Sequence, residues 1–88
     1  MNNICFLNGE YLPIDQAKIS VLDRGFVYGD GVYEYVPVVN RRPYRMRPHL
    51  ARLARSCIEI GLTNPYTEAQ WEHIIRDLIA KQDFADQA

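Results

Sequence analysis

The order of apolar and polar residues at the start of the chain predicts a β-hairpin. Two short apolar segments, residues 4–7 and 10–12, flank the pair Asn8-Gly9. An Asn-Gly pair between two such segments is typical of a two-residue hairpin turn, because both residues adopt positive φ angles readily. We therefore predict two antiparallel strands joined by this turn. The mixed residues 17–22 could be an extended connection or a short turn of helix, and we leave them unassigned.

A second pair of antiparallel strands is predicted in the middle of the chain. Residues 32–39 are rich in β-branched and aromatic side chains, and a turn over residues 40–43 leads into residues 44–46. Pro37 lacks an N–H group and cannot donate to a strand ladder. It places its strand at the edge of the sheet or at a bulge.

Two tyrosines share one side of this predicted strand. Alternation with a period of two puts Tyr33 and Tyr35 on one face and Glu34 on the other. The tyrosines could line a pocket, but their residue type favours half-buried core positions, and this is what we expect from composition alone.

Two amphipathic helices follow. Pro48 suits the first turn of a helix, and Gly61 is a typical helix stop. Between them, apolar residues recur with the spacing of a helical stripe. The stripe consists of Leu50, Leu53, Ala54, Cys57 and Ile58.

The second helix has a well-defined start. Thr67 and Gln70 have the spacing of a capping box, and Tyr66 and Trp71 are placed as a hydrophobic staple across it. Its apolar face consists of Trp71, Ile74, Ile75, Leu78 and Ile79. His73 falls on the other side, where we expect a surface residue. Together these patterns predict an α+β fold, with an antiparallel sheet of about four strands packed on two helices.

A glycine-rich segment separates the two strand pairs. Residues 23–31 contain Gly25, Gly29 and Gly31 together with two aromatic and several charged residues. Glycines at this density favour a shaped binding loop over a strand. The spacing Gly29-x-Gly31 alone is too little for a dinucleotide fingerprint, which also needs a further glycine at a fixed spacing, a strand before it and a helix after it, so we reject that interpretation.

Composition narrows the function classes. The chain has 88 residues, of which 48% are hydrophobic and 24% are charged, and its net charge is −1. These values predict one globular unit without a general affinity for nucleic acid or anionic membrane. No apolar segment approaches the roughly 18 to 20 residues that span a bilayer, so we expect a cytoplasmic protein. Cys5 and Cys57 have no metal-site or disulfide pattern, and we expect both to be buried thiols.

The charge is distributed unevenly along the chain. Residues 41–55 contain no acid, whereas the charged residues within 59–86 are mostly acidic. The basic segment carries Arg41, Arg42, Arg45, Arg47, Arg52 and Arg55. Such a cluster can bind a phosphate or carboxylate, or can simply form a solvated face balanced by acids elsewhere.

His49 and Arg52 stand out within this basic segment. They lie three residues apart near the start of the first predicted helix, so their side chains are neighbours where backbone N–H groups favour an anion. Together they form a candidate binding site for a phosphate or carboxylate group. The alternatives are a capping or exposed histidine and a solvated arginine.

Several kinds of site are not indicated by the sequence. There is no metal-ligand spacing of Cys, His and Asp, no nucleophile elbow and no P-loop, and we predict no metal site. The lysines, Lys18 and Lys81, lie beside neither the glycine-rich segment nor Arg52 in sequence. We therefore predict no lysine for Schiff-base chemistry within these 88 residues.

The motifs together resemble a known enzyme family. The segment from Asp23 to Glu34, followed by residues 42–45 and 49–53, is similar to the N-terminal part of the fold-type IV pyridoxal-phosphate enzymes. Asn8-Gly9-Glu10 also fits the usual start of that family. The family includes D-amino-acid aminotransferases, branched-chain aminotransferases and aminodeoxychorismate lyases. The form Gly-Asp-Gly-Val-Tyr-Glu at residues 29–34 resembles the D-amino-acid aminotransferases most.

The resemblance implies roles for particular residues. Arg52 would bind the phosphate of the cofactor, pyridoxal 5'-phosphate, and Tyr33 would help to hold the substrate carboxylate. His49 would support the site, and Tyr28 would reach the pocket of a neighbouring subunit, since the family builds its sites across a dimer. Tyr35 stands where valine is common in D-amino-acid aminotransferases, which implies a reshaped side-chain pocket.

The resemblance also implies an activity and an extent. The intact protein would move an amino group between a D-amino acid and a 2-oxo acid. The alternatives are a branched-chain aminotransferase, an aminodeoxychorismate lyase or a non-catalytic truncated module. Family subunits are several-fold longer, so we expect residues 1–88 to be an incomplete small N-terminal domain. The large cofactor-binding domain and the Schiff-base lysine would lie outside it. We expect this chain alone to be inactive and to dimerise or self-associate through exposed sheet edges.

Overall fold

A computed structural model of the chain describes residues 3–82. Its first elements are strands β1 (Ile4–Leu7) and β2 (Glu10–Pro13), which pair antiparallel. Asn8 and Gly9 form the turn with φ angles of 50° and 87°. Glycine is favoured at the second of these positions because it carries no Cβ to clash in the left-handed region. The predicted hairpin is confirmed.

A single helical turn occupies part of the segment predicted as a glycine-rich loop. Helix α1 (Arg24–Tyr28) begins after Asp23, whose carboxylate accepts a hydrogen bond from the Gly25 N–H at 2.9 Å. It ends at Gly29, which has a φ of 69°. The loop prediction was therefore too simple, because Asp23 caps a helix that glycine content alone argues against. A short 3₁₀ turn (Ile14–Gln16) precedes this region.

The second strand pair is much shorter than predicted. Strands β3 (Val38–Val39) and β4 (Arg42–Pro43) pair antiparallel, and the Tyr44 N–H donates to the Pro37 carbonyl at 2.8 Å. Residues 31–37 lie outside any strand. In the described part of the chain the four strands form two separate two-stranded sheets, so the prediction of one sheet of about four strands was wrong. The α+β class is confirmed.

Two longer helices complete the fold. Helix α2 (Met46–Ile60) ends at Gly61, as predicted, and Leu50 and Cys57 from its apolar stripe are buried. Ile58 was predicted on the same stripe, but 79% of it is exposed. The buried side of α2 is therefore narrower than the sequence stripe. Within residues 3–82 the buried apolar residues are Val38, Met46, Leu50, Cys57 and Ile79.

Helix α3 (Glu68–Ala80) has the predicted start. The Thr67 side chain accepts from the Gln70 N–H at 3.2 Å, and the Gln70 side chain accepts from the Thr67 N–H at 2.9 Å. The Tyr66 and Trp71 rings meet edge to face with centroids 4.9 Å apart. The capping box is confirmed, and the two rings make the contact expected of the staple. His73 is exposed, also as predicted.

Gln82, just after α3, hydrogen-bonds to the β1–β2 hairpin. The buried side chain of Gln82 accepts from the Ile4 N–H at 3.2 Å and donates to the Ile4 carbonyl at 2.6 Å. The amide therefore satisfies backbone groups on the outer edge of β1, as a neighbouring strand would. Both cysteines are free thiols; Cys57 is buried as predicted, whereas Cys5 is only partly buried.

Candidate functional site

Glu34 lies at the centre of a charged cluster with His49 and Arg52, which we call the Glu34 clamp. Its Oε1 atom is 2.7 Å from His49 Nδ1 and also accepts from Arg52 Nη2. Its Oε2 atom accepts from Arg52 Nε at 2.8 Å. The Glu34 side chain is only 9% exposed, whereas that of Arg52 is 58% exposed. The carboxylate is thus enclosed by its partners while the arginine still reaches solvent.

Local structure explains why these three residues meet. His49 and Arg52 lie three residues apart in α2, which places them side by side on the helix surface. Residues 31–36 alternate between exposed and partly buried, and Glu34 is one of the partly buried positions. The same alternation that was predicted for a strand therefore turns Glu34 towards α2.

The clamp changes the ionisation of Glu34. Hydrogen bonds from Arg52 and His49 and from the Tyr35 N–H lower the pKa of its carboxyl group from 4.5 to about 2, although burial acts in the opposite direction. The charged form is stabilised because these donors favour a carboxylate over a carboxylic acid. The same ion pair raises the pKa of the Arg52 guanidinium. The clamp is therefore an ionised arrangement at neutral pH.

The low pKa of Glu34 predicts a loss of stability in acid. A carboxyl group whose pKa falls on folding stabilises the folded state at pH values above its unfolded pKa, and this contribution disappears as the pH falls through the folded pKa. For Glu34 that interval runs from about pH 4.5 down to about pH 2. We expect wild type and Glu34→Gln to differ in free energy of unfolding at neutral pH, and the difference to shrink across this interval. Urea denaturation at several pH values measures this difference in free energy of unfolding. A difference that does not change with pH would contradict the lowered pKa of Glu34.

The three tyrosines suggested as site residues are all exposed. Tyr28, Tyr33 and Tyr35 are 69%, 81% and 52% exposed, so the expectation of half-buried core positions for Tyr33 and Tyr35 was wrong. Their strand did not form over residues 31–37, and nothing among residues 3–82 covers that face. The Tyr33 and Tyr35 side chains make no hydrogen bond with His49 or Arg52 in the described part of the chain. The fold brings His49 and Arg52 together and leaves Tyr33 and Tyr35 on the opposite side of the Glu34 segment.

The basic segment is used partly for internal contacts. Arg41 donates to the carbonyl oxygens of Ile79 and Gln82 at 3.5 Å and 3.1 Å, near the C-terminus of α3, where a positive charge is favourable. Arg45 lies over the Tyr44 ring at 5.3 Å. The basic segment is therefore neither purely an anion-binding cluster nor purely a solvated face, because Arg41 and Arg45 make contacts within the chain.

Other kinds of site are not evident in the structure. Among residues 3–82, no group of three His, Cys, Asp or Glu side chains is arranged to hold a metal ion. In the same range, none of the helices has both the length and the apolar character that crossing a membrane requires.

Glu34 is the residue of the cluster that sequence reasoning missed. It is separated from His49 and Arg52 by 15 and 18 positions, so no local spacing connects it to them. The available signal was the alternation that put Glu34 opposite Tyr33 and Tyr35, on the face of its segment that turns inward.

Comparison with known proteins identifies the family. A model of the class IV aminotransferases matches residues 31–87, which include all three residues of the Glu34 clamp. The chain belongs to the class IV aminotransferase family. The resemblance inferred from the glycine-rich segment and the start of α2 is thereby confirmed.

Individual relatives agree with this family. The chain is 42% identical over 74 residues to a D-alanine aminotransferase of Staphylococcus aureus, covering 84% of this chain and 26% of the relative. It is 37% identical over 78 residues to that of Staphylococcus epidermidis, covering 89% and 28%. It is 32% identical over 72 residues to that of Bacillus licheniformis, covering 82% and 25%. The chain therefore spans about a quarter of the length of these relatives.

Proposed function

We propose that this class IV aminotransferase chain contributes one wall of an active site that moves an amino group between a D-amino acid and a 2-oxo acid. The observation that carries the proposal is the Glu34 clamp, in which an exposed arginine is held beside a histidine by a partly buried carboxylate. The names of the relatives, which are D-alanine aminotransferases, favour D-amino acids as substrates.

The residues present fit the phosphate of pyridoxal phosphate. Arg52 uses Nε and one proton of Nη2 for Glu34, so Nη1 and the outer proton of Nη2 remain available. This second edge of the guanidinium matches two phosphate oxygens, and Arg52 is exposed enough for a ligand to reach it. The cofactor, when bound, supplies the electron sink on which amino-group transfer depends. The role proposed for Arg52 is to hold and orient the phosphate.

The exposed tyrosines are proposed as the substrate side of the site. A phenol hydroxyl donates to a carboxylate, and Tyr33 is free to do so, since it is 81% exposed. Tyr35 is exposed on the same side and would narrow the space for the substrate side chain. We assign Tyr28 to the pocket of a second subunit in a homodimer, following the resemblance to the family. These placements require parts of the protein other than residues 3–82 to cover the tyrosines.

The experiment is to express the complete open reading frame and to assay it with D-alanine and 2-oxoglutarate. The proposal expects amino transfer, together with a cofactor absorbance that borohydride fixes to a lysine outside residues 1–88. A preference for L-leucine would instead indicate a branched-chain aminotransferase, and release of pyruvate from aminodeoxychorismate would indicate the lyase. Absence of both cofactor and activity would overturn the enzyme assignment.

A further inference from the structure

The position of one proton in the Glu34 clamp follows from its geometry. Glu34 Oε1 and His49 Nδ1 are 2.7 Å apart, which is hydrogen-bonding distance. Two lone pairs at this distance would repel each other, so one of the two atoms carries a proton. Both oxygens of Glu34 already accept N–H groups from Arg52, and these bonds favour the ionised carboxylate. The proton therefore lies on His49 Nδ1.

The assignment also fixes how a second close approach to His49 is interpreted. Arg52 Nη2 lies 3.2 Å from His49 Nδ1, but a guanidinium can only donate. An Nδ1 atom that already donates to Glu34 has no lone pair to accept from Arg52. The proximity of Arg52 and His49 thus results from their shared partner, Glu34, and is not a hydrogen bond between them.

This proton position determines which polar atoms of His49 and Arg52 remain unpaired in the clamp. With the proton on Nδ1, the Nε2 atom of neutral His49 keeps its lone pair and has no partner among residues 3–82. The His49 side chain is 18% exposed, so the imidazole is neither fully enclosed nor fully solvated. Arg52 presents its outer edge as a donor in the same cluster. Within residues 3–82, the clamp therefore contains both an unpaired acceptor, on His49, and an unpaired donor edge, on Arg52.

We infer that Glu34 is a positioning residue, which holds neutral His49 as the Nδ1–H tautomer with Nε2 as an acceptor and fixes the edge that Arg52 presents to a phosphate-bearing ligand. Glu34 itself touches no ligand in this scheme, because its two oxygens are directed at Arg52 and His49. The use of the arrangement in catalysis rests on the proposed function. The tautomer itself can be measured without cofactor.

The test is nitrogen-15 NMR of the imidazole groups in the full 88-residue chain. The sequence contains two histidines, so His73 serves as an internal reference; its Nε2 atom, not Nδ1, faces a carboxylate, that of Asp77, at 3.2 Å. The pH is raised until the imidazole resonances no longer move, and long-range correlations then show which nitrogen bears the proton. We expect Nδ1–H for His49. An Nε2–H tautomer in the wild-type chain would overturn the inference, without any need for a variant.

Two variants separate positioning from general structure. Glu34→Ala should abolish the preference of His49 for Nδ1–H and leave His73 unchanged. Glu59→Ala removes an exposed carboxylate from the same helix as His49 and should change neither histidine. A Glu34→Ala chain that keeps the Nδ1–H tautomer would contradict the role of Glu34.

The outcome separates this inference from the proposed function. If His49 is the Nδ1–H tautomer but the product of the complete reading frame binds no pyridoxal phosphate, the missing cofactor overturns only the enzyme assignment, and the inference on Glu34 stands. A working aminotransferase whose His49 is the Nε2–H tautomer would overturn only the inference on Glu34.

Discussion

Replacing Arg52 by alanine is expected to weaken the binding of pyridoxal phosphate to the product of the complete reading frame by about 100-fold. A hydrogen bond to a charged group contributes about 1.5–3 kcal/mol. The edge of Arg52 that does not face Glu34 can donate two hydrogen bonds to the phosphate. If water replaces part of their contribution in the variant, their loss corresponds to about 3 kcal/mol of binding free energy, or roughly a 100-fold loss of affinity. Titration with cofactor, followed by absorbance, measures the dissociation constant directly.

Two further variants make this result specific. Arg52→Lys keeps the positive charge but loses the planar fork, so an intermediate loss of about tenfold is expected. Arg55→Ala removes an exposed arginine three residues further along α2, which makes no hydrogen bond or ion pair within residues 3–82, and should leave the affinity unchanged. Equal losses in the Arg52→Ala and Arg55→Ala proteins would mean that only net charge matters, and Arg52 would then have no assigned place at the phosphate.

Leu50→Ala is expected to destabilise the 88-residue chain by about 3 kcal/mol. Leu50 is 5% exposed, and truncation of a buried leucine loses apolar burial and leaves a cavity. Folded proteins have a stability of about 0.05–0.15 kcal/mol per residue, so a chain of 88 residues has roughly 4–13 kcal/mol in total. The substitution therefore removes a large share of it. The shift of the urea unfolding midpoint measures the effect.

Ile58→Ala is the matched control on the same helix. Sequence periodicity places Ile58 on the same stripe as Leu50, but the structure leaves Ile58 79% exposed. We expect its truncation to change the free energy of unfolding by less than about 0.5 kcal/mol. Equal losses for the two substitutions would show that the full apolar stripe is buried and that the narrower packing of α2 is wrong.

Local chemistry made several elements predictable. The Asn8-Gly9 turn and the capping box of Thr67 and Gln70 depend on residues within three positions of one another, so the sequence contains nearly all of the information they require. The stop of α2 at Gly61 is equally local. The family resemblance was likewise predictable, because its motifs are short ordered segments around Gly29 and Arg52.

Other features depended on distant partners and were not predictable in this way. The β-branched and aromatic residues of 32–39 favour a strand, yet a strand needs a neighbour along its whole length, and β4 supplies one only for Val38 and Val39. Tyr33 and Tyr35 were expected in the core for the same reason and are exposed instead. The residue types show that a segment can form a strand, whereas pairing with a neighbouring strand decides how many of its residues do so.

For this protein, the sequence by itself determined the hairpin turn, the two longer helices, the family and the pairing of His49 with Arg52 on one helix surface. These depend on spacing and on local hydrogen bonds. Only the tertiary structure decided that Glu34 is the shared partner of both, that Ile58 lies outside the packed face, and that the strands form two small sheets. The physical reason is the same in each case: the contacts join residues far apart in the chain, and burial of a carboxylate or an isoleucine depends on what packs against it.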